Sequence, residues 1–397
     1  MVAQRSTSAI HAALRDAHAR LAARTGDILD DQVALAGIAA PTGSEQRRAM
    51  WVADRFRRIG LHEVRADVAG NVLATRPGAA ALEPVVVCAH LDTVFPADTP
   101  LYAARAGSRI AAPGIGDNAR GLAAMLAIAG ELDGRRVQVT RPIIFAATVG
   151  EEGIGDLAGS KALFAALGRG VAAAIILDGA GDERVVHRAV GSRRYRIAFT
   201  GAGGHSWASY GVPNAVHAAA GAAARLAALP LPRAPRTTLT VARIGGGLSV
   251  NAIPAHAWLE VDVRSTSATV LIRLDEEVTR IAGAAAREEN QRGTTGAPAL
   301  TVNIACIGDR PCGDVPDDDP LVVAAMDATR LVGRDPVLSS ASTDANVPIA
   351  LGVPTVAIGG GGRGGDTHTA GEWYDDTDAT RGLARALTIV VSAAGLA

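Results

Sequence analysis

One short segment constrains the fold of this chain more than any other, an apolar strand that ends in a candidate metal ligand. Residues 85–89 are apolar and rich in β-branched side chains, which predicts a strand buried on both faces in a parallel sheet. His90 follows this run directly, and Asp92 lies two residues further on. Ligands of open α/β sheets bind just beyond the carboxyl ends of the strands, so His90 could bind a metal while Asp92 fixes its tautomer. By itself, H-x-D is more often an ordinary surface loop.

Predicted strands and helices alternate on both sides of this segment. Further buried strands are predicted at residues 142–149, 172–177 and 353–359. Helices are predicted at residues 119–132, 160–167 and 379–394. This alternation is typical of an α/β fold with a doubly wound, mostly parallel sheet.

The middle of the chain has a different pattern. Strands are predicted at residues 193–200, 237–244, 257–264 and 299–307, with helices at residues 214–229 and 269–289. The resulting order, β-α-β-β-α-β, is that of a ferredoxin-like split unit. We therefore predict that residues 1–190 and 309–397 form one catalytic, metal-binding domain, into which a ferredoxin-like domain of residues 191–308 is inserted.

Composition gives no indication of several classes of partner. The formal net charge is -1, so nothing indicates a nucleic-acid or membrane partner. No stretch of about 18 apolar residues predicts a membrane span, and residues 1–24 lack the apolar segment of a signal peptide. Three cysteines, Cys88, Cys306 and Cys312, cannot all pair with one another, which favours a reducing compartment. We expect a cytoplasmic protein.

Side chains that commonly bind metals follow the predicted strands or open a helix. These candidates are His90, Asp117, Glu151, Glu152, Asp178 and His368. The carboxyl ends of parallel strands meet at one edge of a sheet, so all of these side chains can reach one site. Glu151 and Glu152 are neighbours whose side chains diverge, so one can bind a metal while the other acts as a general base.

The composition of this set indicates the metal. Crowded carboxylates would repel one another and raise one another's pKa unless cations neutralised them. Imidazoles and carboxylates without thiolates suit Zn²⁺, with Mn²⁺ or Co²⁺ as alternatives. Five protein ligands are too many for one catalytic zinc with an open position, but they suit two divalent ions about 3.5–4 Å apart that share a bridging carboxylate.

With these residues in place, the chain resembles the M20 family of co-catalytic metallopeptidases, and most of all its peptidase T-like members. The resemblance extends over essentially the whole chain. It is carried by His90-Leu-Asp92, Gly116-Asp117-Asn118, Gly150-Glu-Glu-Gly153, Leu177-Asp178, Gly203-Gly-His205, Asn251-Ala-Ile-Pro254 and His368-Thr369.

The resemblance implies a role for each of these residues. Asp117 would bridge the two metals, His90 and Asp178 would complete one site, and Glu152 and His368 would complete the other. Glu151 would be the general base that activates a water molecule bridging the metals, and Asp92 would support His90. The inserted domain would be a lid and dimerisation domain. His205 would complete the active site of the partner subunit of a homodimer, Asn251 and Arg264 would hold a substrate carboxylate, and Arg310 would be a further substrate contact.

A glycine-rich run before His368 matches the dinucleotide fingerprint G-x-G-x-x-G at Gly359, Gly361 and Gly364. That fingerprint must open a helix, and residues 366–371 do not, so dinucleotide binding is not expected. We expect these glycines to let the backbone approach the substrate and to position His368.

The sequence as a whole predicts a two-metal hydrolase that cleaves amide bonds of small peptides such as di- and tripeptides. One alternative is an N-acyl-amino-acid deacylase or carboxypeptidase, which would differ in the substrate end that Asn251 and Arg264 hold. A non-catalytic metal-binding or assembly protein on the same fold is another alternative. The intact Glu151 argues against it, because a structural metal site needs no base.

Overall fold

The computed structural model describes residues 6–133, 136–294 and 296–397. The chain divides into two units, Met1–Ala189 with Asp314–Ala397, and Val190–Gly313. Each unit encloses an apolar core of its own.

The first unit combines helices with a large sheet. Its helices are α1 (Thr7–Ala13), α2 (Arg15–Ala23), α3 (Thr25–Ala36), α4 (Gln46–Ile59), α5 (Ala119–Glu131), α6 (Ala158–Leu167), α9 (Pro320–Leu331), α10 (Asn346–Ala350) and α11 (Ala379–Ala394). Its longer strands are β1 (His62–Ala66), β2 (Val72–Arg76), β3 (Val85–His90), β6 (Ile143–Thr148), β7 (Ala173–Leu177), β8 (Arg184–Ala189), β16 (Val337–Ala341) and β17 (Thr355–Ile358). Its shorter strands are β4 (Ala104–Ala106), β5 (Arg109–Ala111), β15 (Gly313–Asp314, at the boundary), β18 (Arg363–Gly365) and β19 (Trp373–Asp375).

The large sheet is mostly parallel, as predicted. Its strand order is β1-β2-β6-β3-β7-β17-β8-β15, with β16 paired beside β8. The central neighbours β6, β3, β7 and β17 run parallel to one another, whereas β1 and β2 add antiparallel pairs at one side. Every residue of β3 is buried, which agrees with its apolar composition and its place between β6 and β7. The mixed α/β fold with a mostly parallel sheet is therefore confirmed.

Helix α5 begins directly behind the predicted metal ligand Asp117. The side chain of Asn118 caps the helix by accepting a hydrogen bond from the backbone N–H of Gly121. Nearly every residue of α5 is buried, because the helix packs on β3, β6 and β7 and on neighbouring helices. A helix that is apolar on all sides is typical of the interior of a large domain.

Several strands of the first unit were not predicted. β8 carries three charged or imidazole side chains in six residues, so it lacks a clear apolar run. β4, β5, β18 and β19 are three residues each and form a separate small antiparallel sheet. Strands this short have no period that a sequence pattern could reveal.

The second unit is an antiparallel sheet with two helices. Its elements are β9 (Gly191–Thr200), β10 (Gly204–His205), α7 (Ala215–Ala227), β11 (Thr237–Gly246), β12 (Ala252–Ile253), β13 (His256–Ser265), α8 (Ala268–Arg292) and β14 (Thr301–Arg310). The four long strands pair in the order β11-β13-β9-β14, and β10 pairs separately with β12. The long elements follow one another as strand, helix, strand, strand, helix, strand.

The cysteines and the helix lengths can be compared with the sequence analysis. Cys88, Cys306 and Cys312 are all free thiols, and Cys88 is buried in β3. No helix within the described ranges combines the length and apolar character that a membrane span requires.

A close approach between α11 and the glycine-rich loop fixes the position of that loop. Gly382, inside α11, lies so close to Gly361 that a Cβ on Gly382 would overlap the Cα of Gly361. Gly361 itself has a φ of +92°, which disfavours any side chain there. Glycine inside a helix costs about 1 kcal/mol relative to alanine, so its presence here reflects this contact.

We expect Gly382→Ala to lower the free energy of unfolding by about 1–3 kcal/mol, because the neighbouring backbone cannot yield to an added methyl group. Urea unfolding measures the change. The matched control is Gly130→Ala in α5, where a Cβ would make an ordinary contact of 3.7 Å with Arg24. That control should be neutral or gain up to about 1 kcal/mol from helix propensity. Equal effects of the two substitutions would contradict the close approach.

Candidate metal centre

The five predicted metal ligands converge at one edge of the large sheet. His90 is the last residue of β3, Glu152 follows β6, and Asp178 follows β7. Asp117 precedes α5, and His368 lies in the segment between β18 and β19. His368 has a φ of 67°, an uncommon left-handed conformation that often marks functional sites. The structure therefore brings together side chains from five separate segments.

The two oxygens of Asp117 face two different groups of side chains. Asp117 Oδ1 lies 2.9 Å from His90 Nε2, and the same nitrogen is 3.9 Å from Asp178 Oδ1. Asp117 Oδ2 lies 3.1 Å from His368 Nε2, which is 2.9 Å from Glu152 Oε1. Ligand atoms of His90, Asp117 and Glu152 all lie within 4.8 Å of one another. Asp117 thus stands between a His90–Asp178 pair and a His368–Glu152 pair.

The charges of this cluster suit divalent cations. Burial, reinforced by the charge of Asp117, raises the pKa of Asp178 to about 7. Burial opposes ionisation of Asp117 as well, but hydrogen bonds from His368 and His90 outweigh it and hold the pKa of Asp117 well below its usual range. Carboxylates this close resist being charged together, and a bound cation removes that penalty. Imidazole nitrogens and carboxylate oxygens are also the ligands that Zn²⁺, Mn²⁺ and Co²⁺ accept.

Asp92 connects His90 to the segment that carries the adjacent glutamates. Its Oδ1 lies 3.4 Å from His90 Nδ1, whose closer neighbour is the backbone oxygen of Asp92 at 3.1 Å. The carboxylate accepts the backbone N–H groups of Glu151 and Glu152 at 3.0 and 2.9 Å, and the hydroxyl of Thr42 at 2.8 Å. Burial opposes its ionisation, but the contacts with His90 and these N–H groups lower its pKa overall. The buried carboxylate of Asp92 therefore positions both His90 and the backbone of the adjacent glutamates.

Glu151 lies inside the site next to this carboxylate. It is buried, with 6% of its surface exposed, and its backbone N–H is held by Asp92. Its charge is among those that raise the pKa of His90 despite the burial of that imidazole.

Glu372 is a further residue of this site, which the sequence did not reveal. Its Oε1 accepts the backbone N–H groups of Gly116 and Asp117, both at 2.9 Å, and its Oε2 accepts that of Gly114 at 3.0 Å. These bonds hold the loop that presents Asp117. The feature of the sequence that could have indicated Glu372 is its position four residues after His368, in the same short segment.

Asn118 supports the other side of Asp117. Its side-chain oxygen accepts the N–H groups of Gly121 and Gly179, both at 3.0 Å, and its amide donates to the backbone oxygen of Leu177 at 2.9 Å. Asn118 thereby connects the start of α5 to the end of β7, on which Asp178 follows. The predicted motif Gly116-Asp117-Asn118 therefore contains a candidate ligand and the residue that supports it.

The four predicted substrate contacts lie in the second unit. His205 is exposed on β10, next to β12, and its Nδ1 accepts the backbone N–H of Trp207 at 3.2 Å. Asn251 precedes β12, and its backbone oxygen accepts the N–H of Ser206 at 3.0 Å. Arg264 Nε donates to Asp262 Oδ2 at 2.7 Å. Arg310, at the end of β14, is buried.

The guanidinium of Arg264 is already paired with a carboxylate of the same unit. Its side chain is 40% exposed, but Asp262 already occupies its Nε, and Arg194 contacts the other oxygen of Asp262 at 3.1 Å. A substrate carboxylate would therefore meet a charge network of two arginines and one aspartate, not an isolated guanidinium.

A mixed α/β unit with imidazoles and carboxylates gathered at the strand ends is typical of metal-dependent hydrolases. The sequence matches the model of peptidase family M20/M25/M40 over residues 86–392. The chain belongs to this family and is an M20-type hydrolase. The resemblance drawn from the motifs is thereby confirmed.

Solved structures with this fold include several peptidases. The aminopeptidase PepT of Bacillus cereus is 24% identical, with a TM-score of 0.72, over 93% of this chain and 98% of that one. A tripeptidase of Staphylococcus aureus is 22% identical, with a TM-score of 0.76, over 93% and 98%. YxeP of Bacillus subtilis, a dinuclear metal-binding peptidase of the M20 family, is 16% identical, with a TM-score of 0.66, over 94% and 99%. Comparison with curated protein sequences gives no significant match.

The raised pKa of Asp178 predicts how pH affects the stability of metal-free protein. Between its usual pKa of 3.8 and about 7, folded protein keeps a proton on Asp178 that the unfolded chain has lost. The Asp178 contribution to the free energy of unfolding therefore falls as pH rises through this range. The hydrogen bond that His368 donates to Asp117 raises the pKa of His368 to about 9, so the His368 contribution to the free energy of unfolding is lost between about pH 6.5 and 9.

We expect Asp178→Asn to reduce the loss of stability between pH 4 and 7 relative to the unsubstituted protein. Both proteins are stripped with a chelator and unfolded in urea at each pH. Burial lowers the pKa of His18 to about 4, so the His18 contribution to the free energy of unfolding rises over the same pH range. The effect of Asp178 is therefore obtained from the difference between the two proteins. Parallel pH profiles would contradict the assignment.

Proposed function

We propose that this protein hydrolyses amide bonds of small peptides, such as di- and tripeptides, with two divalent metal ions. The observation that carries the proposal is the position of Asp117, whose two oxygens face separate histidine–carboxylate pairs. Asp117 would bridge the ions, His90 and Asp178 would hold one, and Glu152 and His368 would hold the other. Zinc suits these ligands, with manganese or cobalt as alternatives.

The bound metals would supply electrostatic activation, by polarising the scissile carbonyl and making a water molecule more acidic. Glu151 would take the proton of that water as it attacks, and would then donate the proton to the leaving amine. Burial of Glu151 supports this role, because bulk water would compete for the proton. Asp92 would hold His90 and the backbone of Glu151 in fixed positions relative to each other.

The doubly wound first unit would be the catalytic domain, and the second unit would be a ferredoxin-like lid. Strand order supports the latter, because β11-β13-β9-β14 with helices α7 and α8 is the arrangement of a split β-α-β unit. His205 and Asn251 would reach the substrate from this lid, and Arg264, with Arg194 and Asp262 beside it, would receive a substrate carboxylate. Arg310 would be a further contact. Free cysteines support a cytoplasmic location.

Deacylation of N-acyl amino acids is a second candidate, favoured by the same arginine network. A carboxylate held by Arg264 could be the C-terminus of a peptide or of an N-acyl amino acid. A carboxypeptidase would use this contact in the same way. An aminopeptidase would instead need a contact for the substrate amine. The assay below therefore includes each class.

The test is hydrolysis of di- and tripeptides and N-acyl amino acids by protein loaded with Zn²⁺, Mn²⁺ or Co²⁺, with chelator-treated protein alongside. We expect Glu151→Gln to lower the turnover of peptides roughly 10²–10⁴-fold, because the substitution keeps the shape but removes the base. Elemental analysis should still find two metals per chain in the variant. Turnover within a few-fold of the unsubstituted enzyme would show that another group is the base, and cleavage of acyl amino acids alone would favour the second candidate.

We also propose a homodimer in which the second units meet and His205 serves the partner's active site. Large, exposed apolar side chains lie close in sequence to His205 and Asn251, and a partner subunit would cover them. They are Trp207, Tyr210, Leu248 and Val250, with 88%, 86%, 102% and 103% of their surface exposed. Strands β11 and β14 also end the sheet, and exposed sheet edges favour pairing with another chain.

If His205 acts across the interface, mixing inactive His205→Ala chains with inactive Glu151→Gln chains should restore activity. Each mixed dimer would contain one site with both an intact base and an intact histidine. Random exchange of equal amounts makes about half of the dimers mixed, so about a quarter of normal turnover is expected. Subunit exchange is verified with tagged chains. No recovery, or a monomer by light scattering, would count against the shared site.

A further inference from the structure

The segment that joins α3 to α4 and includes the first turn of α4, residues 40–48, contacts the chain that follows His90. Its backbone accepts the N–H of Thr93 at 2.9 Å, and the hydroxyl of Thr42 donates to Asp92 Oδ2 at 2.8 Å. No candidate site residue was predicted in this segment. Its contacts nevertheless place it directly beside two residues of the candidate metal centre.

Arg48, in the first turn of α4, makes a further contact with this chain. Its Nη1 donates to the backbone oxygen of Leu91 at 2.8 Å, and its Nη2 donates to that of Ile38 at 2.8 Å. Leu91 is the residue between His90 and Asp92. Because Arg48 is only 1% exposed, its guanidinium is a fixed connection between this residue and the end of α3.

The charge of Arg48 also relates it to the centre. No carboxylate of the described residues lies within ion-pair distance of this buried guanidinium, although a buried charge requires compensation. Burial lowers the pKa of Arg48 to about 10, and the charge of Asp92 acts in the opposite direction. Arg48 therefore stays positively charged at neutral pH, and it interacts electrostatically with the carboxylate that orients His90.

Glu45, at the start of α4, holds the chain that follows β6. It is 4% exposed, and its Oε1 accepts the N–H of Gly43 at 2.8 Å and that of Gly150 at 3.1 Å. Gly150 directly precedes the two adjacent glutamates, whose own N–H groups are accepted by Asp92. Two buried carboxylates therefore hold three successive N–H groups of the backbone that carries the candidate base Glu151.

We propose that Glu45 and Arg48 are positioning residues of the metal centre. Glu45 fixes the backbone that carries Glu151, and Arg48 fixes the residue between His90 and Asp92. The proposal rests on the two-metal function proposed above and adds to it two residues that act through others. A misplacement of about 1 Å can lower a rate about 100-fold. Loss of a group that orients a metal ligand typically costs about 10–100-fold in metal affinity or activity.

The first test is metal affinity, which does not depend on turnover. Arg48→Met removes the charge and both hydrogen bonds but keeps a long side chain. The matched control is Arg385→Met, because Arg385 is also fully buried and burial also lowers its pKa to about 10. Arg385 donates to the hydroxyl of Thr329 and the backbone oxygen of Arg184, neither of which is a candidate ligand or its neighbour in sequence.

Dissociation constants for Zn²⁺ are measured by competition with a chromophoric chelator, at a temperature where each variant is folded by circular dichroism. We expect Arg48→Met to weaken binding of at least one ion about 10–100-fold. Arg385→Met should lower the free energy of unfolding but leave both dissociation constants within about threefold. If Arg48→Met does not fold, Arg48→Lys replaces it, because lysine keeps the charge but lacks the planar fork that reaches two carbonyl oxygens.

The second test separates Glu45 as an acceptor from Glu45 as a packing residue. Glu45→Ala removes the acceptor of the Gly150 N–H, whereas Glu45→Gln keeps an oxygen in the same place. We expect Glu45→Ala to lower kcat about 10–100-fold with KM within about threefold, because the base is displaced while substrate binding is retained. Glu45→Gln should recover most of this loss. The absorption spectrum of Co²⁺-loaded protein should change in Glu45→Ala and not in Glu45→Gln, and Glu45→Asp, one methylene shorter, replaces the alanine variant if it does not fold.

The outcomes distinguish this proposal from the proposed function. Unchanged metal affinity in Arg48→Met, or losses equal to those of Arg385→Met, would overturn the role of Arg48. An unchanged Co²⁺ spectrum and kcat in Glu45→Ala, or equal losses in Glu45→Gln, would overturn that of Glu45. Each result would leave the peptidase function intact. If the unsubstituted, metal-loaded protein cleaves no peptide, the peptidase function fails, but the zinc affinities and the Co²⁺ spectra still decide whether these residues position the centre.

Discussion

Parallel pairing of β3 with β6 and β7 is the constraint on which the rest of the site depends. These strands end at one edge of the sheet, and His90, Glu152 and Asp178 follow them there. The pairing is stabilised by side chains that are buried along all of β3, so the candidate ligand His90 is held by the core and not by a flexible loop. Asp92 adds a direct bond between the His90 end and the backbone that carries Glu151 and Glu152.

The sequence predicted the elements that have strong periodicity and proposed metal ligands at their ends. Strands β3, β6 and β7 are continuous apolar runs, and α5 is a long apolar helix, so both kinds of element were evident. Asp117 was proposed as a ligand because it precedes that helix. β8 was missed because its polar residues interrupt any apolar run, and β4, β5, β18 and β19 because a three-residue strand has no period.

Residues that act through contacts distant in sequence could not be predicted in the same way. Glu372 holds the loop of Asp117 through backbone N–H groups of residues far away in the chain, and no local pattern marks an acceptor of this kind. Arg264 illustrates the reverse case. The family resemblance proposed it as a carboxylate contact. Asp262 lies two residues earlier on the same face of β13, but only the cross-strand register reveals Arg194 beside Asp262.

The segment that contains both His368 and Glu372 has a consequence for the order of assembly during synthesis. His368 is one ligand of the candidate centre, and Glu372 holds the loop of another, Asp117. Both emerge from the ribosome long after β3, β6 and β7 are complete. A nascent chain that lacks this segment would offer His90, Asp117, Glu152 and Asp178 without their last partner. Metal binding at the proposed site would therefore be a late event, and its binding energy would favour docking of the segment that contains His368 and Glu372 onto the residues that β3, β6 and β7 already hold in place.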